Sequence, residues 1–217
     1  MLKAFYIFII YSILGWLMEV VIVSTKKRKI TDRGFLIGPW CPIYGFGALF
    51  ITLLLRKYYE DPLVLFIMSF LLGSILEYIT SYLMEKIFHA RWWDYSNHKF
   101  HINGRISLTT SLGFGALGLI LVYAFNPFFL RIVKNISPII FNIIMVIILL
   151  IFIIDVVTSF KIIYNLRKES YISIKDITET TTEEVKKALR EKSIFNRRLL
   201  NSFPHLKFIF KQKKPSK

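Results

Sequence analysis

The sequence predicts an all-α, polytopic membrane protein, and three observations carry that prediction. Of its 217 residues 54% are hydrophobic and 20% charged, against about 25% charged in soluble domains. Five long stretches are almost free of charge, each near the ~20 residues that carry an α-helix across the bilayer core. The net charge of +15 is also unevenly placed: residues 161–217 hold 15 Lys/Arg and 6 Asp/Glu, whereas residues 1–160 hold 14 and 8. Together these exclude an ordinary soluble enzyme, a disordered chain and a disulfide-rich secreted domain.

The first span covers about 4–23 and contains one acid, Glu19. Its length, that acid and the lack of a small-residue cleavage site mark it as a retained helix rather than a signal peptide. Ser12, Gly15, Trp16 and Glu19 share one helical face. The second span, 34–55, is irregular. Between positions 34 and 47 lie four of the ten glycines and two of the seven prolines. Pro39 and Pro42 remove backbone donors and disfavour helix before themselves. Backbone broken in this way persists at membrane depth only where protein or a water-filled cavity satisfies it, and in transporters it points to the substrate site. A segment dipping into the membrane is expected here, a plain loop with the helix starting near Ile43 being the alternative. Tyr44 falls in this stretch. Arg33 flanks it as a partner for a buried carboxylate or an anionic group.

The third span, 62–84, has a single acid, Glu77, in a stripe of Ser69, Gly73, Ser74, Thr80 and Ser81. The fourth, 106–128, carries Ser107, Ser111, Gly115 and Gly118 on one face. Such stripes either pack helices closely or line a polar cavity around the acids, because an intramembrane carboxylate faces protein or water. The Gly113, Gly115 and Gly118 match to a dinucleotide fingerprint lacks the preceding strand and reads as helix packing. The fifth span, 136–160, contains Asp155, expected to be structural, with Lys161 or Arg105 as its partner.

Counting Lys/Arg in the connections, with the tail, gives 24 on one side and 5 on the other. The excess predicts the N-terminus outside and the C-terminus inside, and an odd number of spans. Residues 1–164 then form the transmembrane domain and 165–217 a basic cytoplasmic tail. The tail contains a polar, helix-favouring stretch at 176–192, where Thr180 or Thr181 with Glu183 or Glu184 fits a capping box. An aromatic and cationic run follows at 203–211. A cation near the cytoplasmic leaflet is worth about 1 kcal/mol against anionic lipid, so headgroups are the expected partner and nucleic acid is not.

The loop 88–105 brings Asp94, three histidines, Trp92, Trp93 and Arg105 together. Paired tryptophans at the end of a span suit an interfacial aromatic belt. The histidine spacing matches no zinc pattern, so no metal is expected, and no cofactor is implied. Asn103-Gly104 reads as a turn. No phosphate-binding loop of the G-x-x-x-x-G-K-[ST] type occurs, so ATP-driven work would require a separate ATPase or another membrane subunit.

Several motifs carry a family resemblance: Gly15-Trp16-x-x-Glu19, Asp32-Arg33-Gly34-Phe35-Leu36-x-Gly38-Pro39-x-Cys41-Pro42-Ile43-Tyr44-Gly45, Glu77-x-x-x-Ser81, Trp92-Trp93-Asp94-Tyr95-Ser96 and Asn103-Gly104-Arg105-Ile106. On these the chain, over about residues 5–125, resembles the bacterial CmpB-like, ABC-transporter type IV membrane proteins. The resemblance implies a permease subunit of the cell membrane and assigns no residue a role. The residues themselves nominate Glu19, Arg33, Tyr44, Glu77, Ser81, Asp94 and Arg105 as substrate- or ion-binding candidates. The leading expectation is a permease-like subunit with an intramembrane polar cavity. The alternatives are a membrane scaffold or regulator acting through its tail, and a membrane-embedded enzyme working on a lipid-linked substrate, for which no catalytic motif is evident.

Overall fold

The structure, a computed structural model, describes residues 2–176, 194–202 and 207–208. Helix α1 spans Leu2–Lys27, α2 Pro42–Leu54, α3 Pro62–Phe88, α4 Leu108–Ile120, α5 Asn126–Lys134, α6 Pro138–Asp176 and α7 Ile194–Ser202. Several helix starts have a local cause. Asp61 accepts hydrogen bonds from the amides of Leu63 and Val64 and Pro62 fixes the first turn of α3, both standard devices for a helix N-terminus. Ser107 and Thr110 close a reciprocal capping box on α4. A π turn at Leu121–Phe125 joins α4 to α5 just before Pro127, whose ring cannot continue an α-helical ladder.

Four helical stretches are long and apolar enough to cross a membrane: Leu2–Lys27, Pro62–Phe88, Leu108–Lys134 and Pro138–Asn165. The expected second span is different. Its first half is not helical, and α2 begins only at Pro42. Thirteen residues of helix cover about 20 Å at 1.5 Å per residue, short of the about 30 Å hydrocarbon core. The Cys41 amide donates to the carbonyl of Ser12 at 2.9 Å, midway along α1. From there α2 runs back beside the first half of α1, until Ile51 and Leu55 pack with Tyr11 and with Leu65 of α3. Non-helical chain lies before Cys41, with bends at 35–39. The chain between α1 and α3 thus returns along the bundle as a second pass, non-helical before Cys41 and helical after it.

Polarity is arranged inside out. Buried positions include Ser12, Ser69, Ser74, Glu77, Ser81, Ser107, Ser111 and Ser159, while Ile139 is 72% and Ile154 65% exposed. Exposed apolar surface on this scale marks contact with something other than water. Between α3 and α4 the small residues do what their spacing implies. The Ser74 hydroxyl donates to that of Ser111 at 2.7 Å, Gly115 faces Phe66 and Gly118 faces Ser69.

Short strands sit at the end of the bundle that receives the C-terminus of α1. Strands β2 (His101–Ile102) and β3 (Ile106–Ser107) form a hairpin. Its turn is of the I′ type, with Asn103 at φ 53° and Gly104 at φ 65°, the conformation that Asn-Gly favours. Strand β1 (Ala90–Arg91) pairs with β4 (Lys207–Phe208). Helix α6 runs on to Asp176, past the compositional boundary at 164–165. The polar stretch expected to be helical after Asp176 lies outside the described residues, as does the aromatic and cationic run apart from the backbone of β4.

Two sequence expectations change here. Trp92 does not join a lipid-facing belt: it is 4% exposed, packed with Phe88, Ile163, Leu199 and Leu200. Helix α7 covers it, a contact that lies over a hundred residues away in sequence. Asp155 is structural, but neither Lys161 nor Arg105 is the partner it has in the structure. Its carboxylate accepts from the amides of Ile37 at 2.9 Å and Gly38 at 2.8 Å, and from the Trp40 indole at 2.5 Å. The non-helical half of the second pass has no helical ladder for these donors, so a carboxylate on α6 supplies the acceptors instead.

Candidate functional site

Glu19, Arg33, Tyr44 and Glu77, all nominated from the sequence, line one cavity of about 590 Å³. Four different parts of the chain bring them there. Glu19 comes from the third quarter of α1, Arg33 from the non-helical stretch before α2, Tyr44 from the first turn of α2 and Glu77 from the middle of α3. Aromatic and aliphatic side chains make up most of the remaining wall, among them Phe46, Phe114, Phe152 and Phe160.

Two hydrogen-bonded groups stand in this apolar setting. In the first, the Tyr44 hydroxyl donates to Glu19 Oε1 at 2.8 Å and the Arg33 guanidinium reaches Glu19 Oε2 at 3.4 Å. Arg33 also donates to the backbone carbonyl of Ser202 on α7. In the second, Tyr95 donates to Glu77 Oε1 at 3.0 Å and Thr110 lies 3.1 Å from Glu77 Oε2. Glu77 is only 5% exposed. Burial, followed by the neighbouring Glu77 carboxylate, raises the phenol of Tyr95 above its ordinary value, so Tyr95 stays protonated as the hydrogen-bond donor to Glu77.

Three nominated residues lie elsewhere. Ser81, Asp94 and Arg105 form part of a polar network outside the cavity. Arg105 pairs with Glu85 at 3.0 Å and donates to Ser81 Oγ at 3.2 Å. Arg91 lies 3.3 Å from Glu85 and 3.7 Å from Asp94. The cavity continues along α3 past Thr80, Leu83, Met84 and Ile87, whereas Ser81 and Glu85 turn away from it towards the Arg105 guanidinium. The histidines do not gather around Asp94: His101 Nδ1 accepts from the Gly104 amide, and the His98 ring stacks edge-on against Tyr95.

Sequence reading missed Glu85, Tyr95 and Thr110. Glu85 was legible, since it follows Glu77 and Ser81 at four-residue steps on the same face. The Ser107-x-x-Thr110 spacing signals a cap but gives no hint that the Thr110 hydroxyl also faces α3. Tyr95 carried no periodic signal, because it lies in a loop.

Helix α7 braces the cavity wall from behind. Arg198 reaches Asp32 at 2.6 Å and the carbonyl of Leu36 at 2.6 Å, and Ser202 donates to the carbonyl of Asp32 at 2.8 Å. Residues 33–36 thus face the cavity on one side and α7 on the other.

An apolar exterior, buried hydroxyls, a buried carboxylate at Glu77 and a broken pass beside an open cavity define a helical membrane protein. The chain matches the family described as "Putative ABC-transporter type IV" (CmpB) over residues 6–160, and it belongs to that family. The match reaches further than the motifs alone implied: it takes in α6 as far as Phe160, and with it Asp155. No curated protein and no solved structure matches the chain. Family and apolar helices together make this a membrane, transport-related protein.

Proposed function

We propose that the protein is a permease-like subunit of the cell membrane that binds a small solute in the cavity between Glu19, Arg33, Tyr44 and Glu77. One observation carries this reading: two carboxylates and a guanidinium from three separate passes meet in a space large enough for an organic molecule. Packing alone would bring small residues together and leave no such space. In this reading the four long apolar helices and the second pass are five membrane crossings, with the N-terminus outside and the basic tail in the cytoplasm against anionic headgroups. The energy source is a separate ATPase or another membrane subunit.

The test is complementation of a deletion strain with wild type, Glu19→Gln or Glu77→Gln, followed by profiling of accumulated and excluded solutes. Wild type should restore the level of at least one solute, and both variants should fail to do so at matched protein levels. Variants that restore the wild-type profile overturn the cavity as the transport site. Affinity purification of the full chain should bring down an ATPase or a second membrane subunit.

A second reading, regulation through the tail, is favoured by the grip of α7 on residues 32–37. Removing residues 194–217 separates the two. Loss of function in that deletion, with both Glu variants active, makes the tail the working part.

A further inference from the structure

The geometry of the cavity points to a hydrophobic organic monocation as its occupant, an inference that rests on the transport reading above and names its substrate class. Charge balance is the first argument. Among the described residues, Glu19, Arg33 and Glu77 are the Asp, Glu, Lys and Arg side chains in the wall, so two carboxylates face one guanidinium. That guanidinium is already committed to Glu19 and to the carbonyl of Ser202.

Glu77 has hydroxyl partners only, among the described residues. Tyr95 is its one committed donor, because the single hydroxyl proton of Thr110 has a competing acceptor in the Ser107 carbonyl at 2.9 Å. A carboxylate offers about four acceptor sites, and an unpaired buried charge is costly. A cationic group placed against Glu77 answers both.

The wall argues against a bare metal ion and for an organic cation. Hard cations take about six or more oxygen ligands, whereas this wall is built mainly of Ile43, Phe46, Phe114, Phe152 and Phe160 around its few polar groups. Aromatic faces attract a desolvated organic cation and give its apolar substituents a matching surface. The volume of about 590 Å³ falls in the range of sites for drug-sized ligands.

The second argument is the neighbouring space. An apolar groove of about 440 Å³ runs between α1, α2, α3 and α4, lined by Leu17, Leu72, Leu76 and Leu117. Ile43, Tyr44 and Phe114 border both spaces. The rings of Tyr44 and Phe114 rest on Gly15 and Gly73, where any Cβ would collide with them. An apolar arm of the cation therefore has room beyond these two rings while its charge stays at Glu77.

The experiment is calorimetric titration of the full chain in nanodiscs with tetraphenylphosphonium and with its anionic isostere tetraphenylborate, subtracting empty discs. Saturable binding of the cation is expected, at least about tenfold tighter than any saturable binding of the anion, with a similar loss in Glu77→Gln. Glu77→Asp keeps the charge and should retain most of the affinity, which separates charge from fold should Glu77→Gln unfold. Equal or tighter binding of the anion overturns the cationic class. Absence of saturable cation binding to the wild type overturns the inference as a whole. In either case the complementation result decides the transport reading separately: solute levels that still depend on Glu19 and Glu77 preserve it, and levels that ignore them remove it.

Discussion

Two intramembrane carboxylates of this protein solve the same problem in opposite ways. At the junction of α6 with the broken second pass, three N–H donors converge on Asp155: two amides and an indole. In the cavity, Glu77 is reached by two hydroxyls, one of them shared with a carbonyl. Asp155 lies beside backbone that has no helical ladder of its own, and Glu77 lies on an intact helix beside open space. The difference teaches that an acid in a spanning helix is explained by its donors: amides make it architecture, and rotatable hydroxyls beside a cavity leave it free for a ligand.

The sharpest way to break this contrast is to remove each acid and measure unfolding in detergent. Asp155→Ala strands the Gly38 amide and the Trp40 indole, while the Ile37 amide keeps the Ser159 hydroxyl as acceptor. At about 1–3 kcal/mol for each unsatisfied group, it should cost several kcal/mol and destroy the native fold at moderate temperature. Glu77→Gln keeps the shape and the acceptor facing Tyr95, so its stability should stay within about 1 kcal/mol of wild type while ligand binding falls. If the two costs are equal, the contrast is wrong.

A smaller effect tests the helical half of the second pass. A Cβ at Gly45 would meet the Phe8 carbonyl and the Ser12 hydroxyl. Gly45→Ala should therefore cost about 1–3 kcal/mol, the range for overpacking, read as a lower midpoint of thermal unfolding. The smallest effect belongs to the polar contact between α3 and α4. Ser111→Ala removes its bond with Ser74 and should cost about 0.6 kcal/mol, as interhelical hydrogen bonds in membranes do. A cost well above that would mean the pair supports more than helix packing.

Much of this was legible before any coordinates. Glu19 and Glu77 were marked by their isolation in uncharged runs, and Pro39 and Pro42 marked the broken pass. Arg33 was read as a partner for a buried carboxylate or an anionic group, and in the structure it lies 3.4 Å from the half-buried Glu19. What stayed hidden was non-local. The donors that hold Asp155 come from about 115 residues earlier, and no periodicity links α6 to positions 37–40. Trp92 read as an interfacial anchor because its cover, α7, lies in a stretch whose basic composition signals solvent or headgroups rather than packing. Ser81 was nominated with Glu77 because the two are four residues apart, but each such step turns about 40° around a helix of 3.6 residues per turn. The cavity follows Thr80, Leu83, Met84 and Ile87 along α3, while Ser81 and Glu85 turn towards Arg105.

The bracing of residues 32–37 by α7 has a consequence for the order of biosynthesis. The ribosome makes this wall early, between α1 and α2, and makes its support only after α6 has been synthesised. During insertion Arg198 and Ser202 do not yet exist to hold the Asp32–Ile37 stretch. Until Ile194–Ser202 emerges and docks, the nascent protein lacks these contacts to a wall begun some 160 residues earlier.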